Sequence, residues 1–95
     1  MPVEELKKTA RAFVFLEVAL GKEQKVMEEL LEFSEVKEVH EITGEKDVLA
    51  VVEIERDIVV PGAQKIADFV TDKIGKIHGI RETQTIIPTM SKIKM

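Results

Sequence analysis

The sequence predicts an α+β fold in which a four-stranded antiparallel sheet carries two helices on one face. Segments with strand and helix patterns follow one another in the order β-α-β-β-α-β. A glycine-containing turn joins the second strand to the third, which makes these strands antiparallel neighbours. The chain has 95 residues, of which 44% are hydrophobic, as expected for one globular domain. This order is that of the ferredoxin-like sandwich, here of the dimeric α/β type.

The first strand and the first helix meet at Gly21. Residues 11–20 are rich in Phe, Val and Leu and carry one internal charge, Glu17, so they favour a strand that is apolar on both faces. From Lys22 onward the apolar residues recur at helical spacing, with charged residues between them. This pattern predicts an amphipathic helix that ends near residues 33–34. Its apolar positions are Val26, Met27, Leu30 and Leu31.

The second and third strands form a predicted hairpin. Residues 36–43 read as a mostly polar strand, residues 44–47 as the turn, and residues 48–54 as an apolar strand broken by Glu53. A tight turn needs a residue that tolerates positive φ, which Gly44 supplies at no steric cost.

A second helix and a last strand complete the pattern. After a short connection at residues 56–62, apolar residues again recur at helical spacing until the helix stops before His78 and Gly79. Residues 80–87 then read as a strand that Pro88 ends. The apolar positions of the second helix are Ile66, Phe69, Val70, Ile74 and Ile77.

The first and third strands carry apolar side chains on the face that the helices leave uncovered. A strand with one solvated face is expected to alternate apolar with polar residues instead. Leaving a large apolar side chain in water forgoes about 1.5–3 kcal/mol, so we expect a second copy of the chain to cover this face. The alternative is that both strands are central ones whose surface tolerates apolar residues. The apolar residues of the two strands are Phe13, Val14, Phe15, Leu16, Val18, Ala19, Val48, Leu49, Ala50, Val51 and Val52.

Composition excludes several classes of function. The net charge of −4 gives no general source of the cationic surface that drives nucleic-acid binding. Without Cys there is no disulfide, thiolate metal site or thiol nucleophile, and His40 and His78 lack the spacing of a metal site. No stretch approaches the roughly 20 apolar residues of a spanning helix. We therefore expect a cytoplasmic protein without cofactor, metal, membrane or direct nucleic-acid partner.

Several segments together carry a family resemblance. Along the chain these segments are FVFLEV at 13–18, GKE at 21–23, VKEVHEITGEKD at 36–47 and TQTII at 83–87. These segments resemble the effector-binding half of the Lrp/AsnC transcription regulators, the RAM domain (regulation of amino-acid metabolism). The resemblance covers residues 12–87. Its most specific part is the turn combined with the spaced threonines of the last strand.

The resemblance implies an assembly and a ligand. Sheets of that family pair back to back into dimers, dimers commonly join into rings, often octamers, and a free amino acid binds between dimers. A zwitterion needs hydrogen-bond donors for its carboxylate, which amides at a glycine turn and threonine hydroxyls supply. It also needs acceptors for its ammonium group, which carboxylates supply. The ligand-binding positions that the resemblance implies are Gly44, Glu45, Asp47, Thr83 and Thr85.

The chain departs from the family pattern in three places. Lys46 stands where an aromatic residue is usual, and His40 where Tyr is frequent, so a wall of the pocket is altered. The regulators also carry an N-terminal helix-turn-helix domain, and about ten residues before the first strand are too few for one. We expect residues 1–10 to be an N-terminal extension, residues 11–88 the domain and residues 89–95 a tail. The implied function is amino-acid sensing through full-length Lrp/AsnC partners, without direct DNA binding.

Two other functions are compatible with this fold. A ligand-free structural oligomeriser explains the apolar sheet faces equally well. Small dimeric α+β enzymes share the topology, and a cavity that held His40 with Glu38 or Glu41 would favour one. The chain has no Asn, Trp, Tyr or Cys to supply such chemistry, so we expect no catalytic residue.

Overall fold

A computed structural model of the chain describes residues 9–44, 46–55, 61–92 and 94. Glu45, residues 1–8 of the predicted extension and residues 56–60 of the predicted connection lie outside the described residues. The elements are β1 (Thr9–Val18), α1 (Glu23–Leu31), β2 (Val36–Glu41), β3 (Val48–Glu55), α2 (Gly62–Asp72), a 3₁₀ turn (Ile74–Lys76) and β4 (Ile80–Ile86).

Within the described residues, four strands form one antiparallel sheet in the order β2-β3-β1-β4. The most apolar strands, β1 and β3, lie in the centre, and the more polar β2 and β4 lie at the edges. This arrangement follows from burial, because a central strand has neighbours on both sides. The predicted α+β, ferredoxin-like fold is confirmed.

The core lies between the sheet and the two helices. Alternate residues of β1 are buried, and they meet the apolar stripes of α1 and α2. Two rings, Phe33 and Phe69, pack edge to face with centroids 5.5 Å apart, an arrangement that aromatic quadrupoles favour. The side chains that fill the core are Ala10, Ala12, Val14, Leu16, Val18, Val26, Leu30, Val36, Val48, Ala50, Val52, Ile66, Phe69, Val70 and Ile74.

The ends of several elements differ from the sequence prediction. The first strand begins at Thr9, inside the predicted N-terminal extension, β2 ends at Glu41 rather than at residue 43, and β4 ends at Ile86 rather than at residue 87. The strand β1 stops at Val18 rather than at Leu20, because its register with β4 shifts after Glu17 and the chain then turns away. Leu20 is consequently 94% exposed. The helix α2 ends at Asp72, earlier than predicted. The apolar residues that continue the helical spacing lie in and after a 3₁₀ turn, in which Ile74 is buried. Gly44 has φ +117°, as its place in the hairpin turn predicts.

Candidate functional site

Asp47 fixes the turn between β2 and β3 to the end of β1. Its backbone N–H donates to the carbonyl of Leu16 at 2.9 Å, and its own carbonyl accepts from the N–H of Ile42 at 2.9 Å. The carboxylate Oδ2 accepts a third bond, at 2.8 Å, from the backbone N–H of Val18. This amide lies where the pairing of β1 with β4 shifts register, so the carboxylate stabilises a backbone donor where the ladder becomes irregular.

Asp47 therefore has a structural role that the sequence did not reveal. From the sequence, the resemblance implies only a ligand contact for this residue. The half-buried side chain instead bonds to a strand that precedes it by 29 positions. A binding role for Asp47 stays a prediction, and it would use a carboxylate that already has one partner.

Lys46 connects the same turn to strands β1 and β4. Its Nζ lies 2.7 Å from Glu82 Oε2 in β4 and 3.7 Å from Glu17 Oε2 in β1. The two glutamates are register partners, so the ammonium lies over one row of the sheet. The hydrogen bond and the positive charge of Lys46 lower the pKa of Glu82 below its usual value of 4.5. The position where the resemblance expects an aromatic ring thus holds a cation with two acidic partners.

The two threonines of β4 share the helix-facing side of the sheet. Thr83 is the register partner of Leu16, and Thr85 that of Val14, both of which point into the core. Thr83 is half-buried, whereas Thr85 is exposed at the edge of the sheet.

The structure brings some of the predicted site residues together. The turn with Gly44 and Asp47 lies at the end of the sheet that contains Leu16 and Val18, and Thr83 pairs with β1 at this same end. Thr85 lies two residues further along β4. The predicted ligand residue Glu45 lies outside the described residues.

The sheet face opposite the helices, which we call the open face, has an apolar centre. Register places Phe13 beside Val51 and Phe15 beside Leu49 in neighbouring strands, with Ile86 on the other side of Phe13. Val51 is only 4% exposed, although it does not belong to the core under the helices. Ile86 is 45% exposed. The first and third strands are therefore apolar on both faces, as the sequence indicated.

Charged residues surround this apolar centre. Arg11 lies 3.8 Å from Glu53 and stacks its guanidinium over the Phe13 ring at 5.4 Å. On the edge strand β2, His40 Nε2 lies 3.0 Å from Glu38 Oε1, with both side chains about half exposed. The pair is thus on the surface of the open face, not in the cavity between helices and sheet that the enzyme alternative requires.

The described residues contain no group of three His, Asp or Glu side chains placed to hold a metal ion. In the same part of the chain, no helix is long and apolar enough to cross a membrane.

Comparison with known proteins decides the family. Residues 11–95 match the family model described as the Lrp/AsnC ligand binding domain. The chain belongs to the Lrp/AsnC ligand-binding domain family. The relatives that contain a matching domain are named as HTH-type transcriptional regulators.

Curated relatives of this Lrp/AsnC domain are longer regulators from Pyrococcus. An HTH-type transcriptional regulator of Pyrococcus horikoshii is 32% identical over 81 residues, which are 85% of this chain and 48% of that protein. The HTH-type transcriptional regulator FL11 of Pyrococcus furiosus is 30% identical over 76 residues, which are 80% of this chain and 46% of FL11. The chain spans about half the length of these relatives.

Several solved structures have the same fold as this chain. FFRP-DM1 is 38% identical with a TM-score of 0.70, over 83% of this chain and 97% of that one. A hypothetical protein from Pyrococcus horikoshii is 36% identical with a TM-score of 0.69, over 86% of this chain and 92% of that one. Escherichia coli AsnC, at 18% identity, shares the fold with a TM-score of 0.82 over 100% of this chain and 60% of its own. The expected family and fold are confirmed.

Proposed function

We propose that this chain is an amino-acid sensing and oligomerising module that regulates transcription through full-length Lrp/AsnC partners. The open face is the observation that carries the proposal. It presents Phe13, Phe15 and Leu49 at the centre of a sheet whose other face is already covered by the helices. An apolar patch with a charged rim is typical of an interface between protein molecules.

The occupant that we propose for the open face is the same face of a second copy. Two four-stranded sheets of equal size then pack face to face, and side chains of both inner faces form a second core. A two-fold dimer of this kind is the commonest assembly of soluble proteins. We propose further that such dimers join into a ring, as a dimer of dimers or a larger closed assembly.

The proposed effector is a free amino acid bound between dimers at the turn end of the sheet. Thr83 has a hydroxyl donor there, and amides of the turn at Gly44 can donate to a carboxylate. Asp47 supplies a carboxylate for the ammonium group of the ligand. The residues proposed to bind the amino acid are Gly44, Glu45, Asp47, Thr83 and Thr85.

Two comparisons support the effector and the partner class. A regulator of Neisseria meningitidis, whose crystal structure is that of its complex with L-Met, has the same fold at 21% identity, with a TM-score of 0.72. The curated relatives are HTH-type regulators whose ligand-binding half matches this chain. A shared interface would allow this chain to form mixed assemblies with such regulators, which would couple amino-acid binding here to their activity.

Light scattering with and without each of the twenty common amino acids tests this function. A ligand bound between dimers stabilises the larger assembly, so one or a few amino acids should raise the measured mass. An unchanged mass, together with no heat of binding in calorimetry, would contradict the sensor and favour the ligand-free oligomeriser.

A further inference from the structure

A groove on the helix side of the molecule shares no residue with the proposed effector site or with the open face. It lies between the end of α1 and the segment that includes the 3₁₀ turn, and its volume is about 560 Å³. Pockets for small molecules have volumes of roughly 300–1,000 Å³. The groove is lined by Glu29, Glu32, Phe33, Lys73, Lys76, Ile77 and His78.

The two walls of the groove carry opposite charges. The α1 side has the carboxylates of Glu29 and Glu32, and the opposite side has the ammonium groups of Lys73 and Lys76. Within the described residues, none of these acids lies within 4.0 Å of either lysine. The acidic and basic residues therefore line the groove without forming ion pairs with one another, which favours a ligand with one positive and one negative end.

One carboxylate oxygen in this wall lacks a hydrogen-bond donor within the described part of the chain. Glu29 Oε2 is buried and accepts no hydrogen bond from the described part of the chain. A buried charged acceptor without a donor is destabilising. Because the side chain as a whole is half-buried and the last torsion of a glutamate is soft, rotation of the carboxylate can turn this oxygen toward a donor in the groove.

We propose that this groove binds a short apolar peptide with free termini. Its ammonium group is held by Glu29 and Glu32, its carboxylate by Lys73 and Lys76, and its side chains contact the apolar surface of the lining. That surface is supplied by Phe33 and Ile77. A peptide of two or three residues is a better match to the groove volume than a single amino acid, and this second site is independent of the proposed effector site.

The chemical test compares a dipeptide with its blocked form. The full chain labelled with nitrogen-15 is titrated by NMR with L-leucyl-L-leucine and with N-acetyl-L-leucyl-L-leucine amide. The free dipeptide should give saturable shifts of amides around the groove at millimolar concentrations, and blocking both termini should weaken binding at least about tenfold, since both charge-assisted contacts are lost. The absence of saturable groove shifts, or equal binding of the blocked form, would overturn the proposal.

Free L-leucine separates the peptide from the single amino acid. It carries both charges on a smaller frame, so we expect it to bind the groove more weakly than the dipeptide. Stronger binding of leucine in the groove would overturn the assignment to a peptide.

Matched variants locate the site on the protein. Glu32→Gln and Lys76→Gln should each weaken dipeptide binding about tenfold. Glu28→Gln and Lys25→Gln change exposed residues of the same helix that do not line the groove, and they should leave binding unchanged. Equal weakening by the control pair would contradict the location. Because the groove variants leave the turn and β4 intact, their light-scattering response to amino acids reports separately on the proposed effector site.

Discussion

Asp47 combines a structural contact with a proposed ligand contact, and two substitutions at this residue separate the two. Asp47→Asn keeps an oxygen that can accept from the Val18 amide but removes the negative charge. Asp47→Ala removes the acceptor as well and should lower the free energy of unfolding by about 1–3 kcal/mol, measured by urea denaturation. We expect Asp47→Asn to lose less stability than Asp47→Ala while it weakens amino-acid binding at least about tenfold.

Two results would contradict these expectations for Asp47. If Asp47→Asn binds the amino acid as tightly as the unsubstituted chain does in calorimetry, Asp47 is not the acceptor for the ammonium group. If both variants unfold at the same urea concentration as the unsubstituted chain, the hydrogen bond to Val18 contributes no stability.

Lys46 should set the titration of Glu82. The ammonium of Lys46 favours the ionised form of this carboxyl, so its pKa in the folded chain is lowered. A lowered pKa stabilises the folded chain at pH values above the unfolded pKa, and this contribution is lost as the pH falls through the folded pKa. In Lys46→Gln we expect the Glu82 pKa, followed by carbon-detected NMR, to rise toward its usual value of 4.5. The control Lys25→Gln should leave it unchanged, and an unshifted Glu82 in Lys46→Gln would contradict the link.

At the scale of elements, the spacing of apolar residues predicted the order of the helices and strands and which of their faces are buried. The stripe of α1 and the two apolar faces of β1 were readable because burial imposes a period of 3.6 residues on a helix and of two on a strand. The end of β1 was not readable, since Leu20 is apolar yet 94% exposed. Strand register is a long-range property, so the sequence placed neither the Asp47 bond to Val18 nor the Lys46 link to Glu82.

The turns at Gly44 and Gly79 allow a comparison of backbone strain with steric crowding. Both residues have positive φ, +117° and +104°, which residues with a Cβ adopt at a cost of about 1–3 kcal/mol. A Cβ at Gly44 would have no heavy atom within 4 Å, whereas at Gly79 it would lie 3.1 Å from the Cβ of Lys22. Urea denaturation should therefore show a larger loss of stability for Gly79→Ala than for Gly44→Ala. A larger loss at Gly44 would contradict this order.

At the scale of the whole molecule, the sheet divides the apolar residues into two groups with different consequences. Those facing α1 and α2 form the helix-side core of the single chain. Those on the open face, apart from the buried Val51, are half-buried or, like Ile86, exposed, and a partner that covers this face would add to their burial. The sequence showed both groups but not the charged rim, since the pairs Arg11–Glu53 and Lys46–Glu82 arise from register and from the path of the turn. This division allows a substitution to affect assembly without affecting the fold.

Leu49→Lys should separate the proposed dimer while the chain stays folded. Leu49 lies at the centre of the open face and outside the helix-side core, so a lysine there can reach water in the single chain. In a face-to-face dimer the same ammonium group would be buried without a partner, which is strongly destabilising. Light scattering should then give the mass of one chain, 10.7 kDa, with the circular dichroism of the unsubstituted chain.

The matched control for Leu49→Lys is Leu31→Lys, which introduces the same charge at the end of α1. Leu31 is 56% exposed on the helix side, so this variant should keep the mass of the unsubstituted chain. If Leu49→Lys also keeps that mass, the copies associate through a surface other than the open face, and the apolar centre around Phe13 and Phe15 must then be covered by something else or tolerated in water. If both variants dissociate, added positive charge rather than the position on the open face controls assembly, which an increase in salt concentration would reveal by restoring the larger mass.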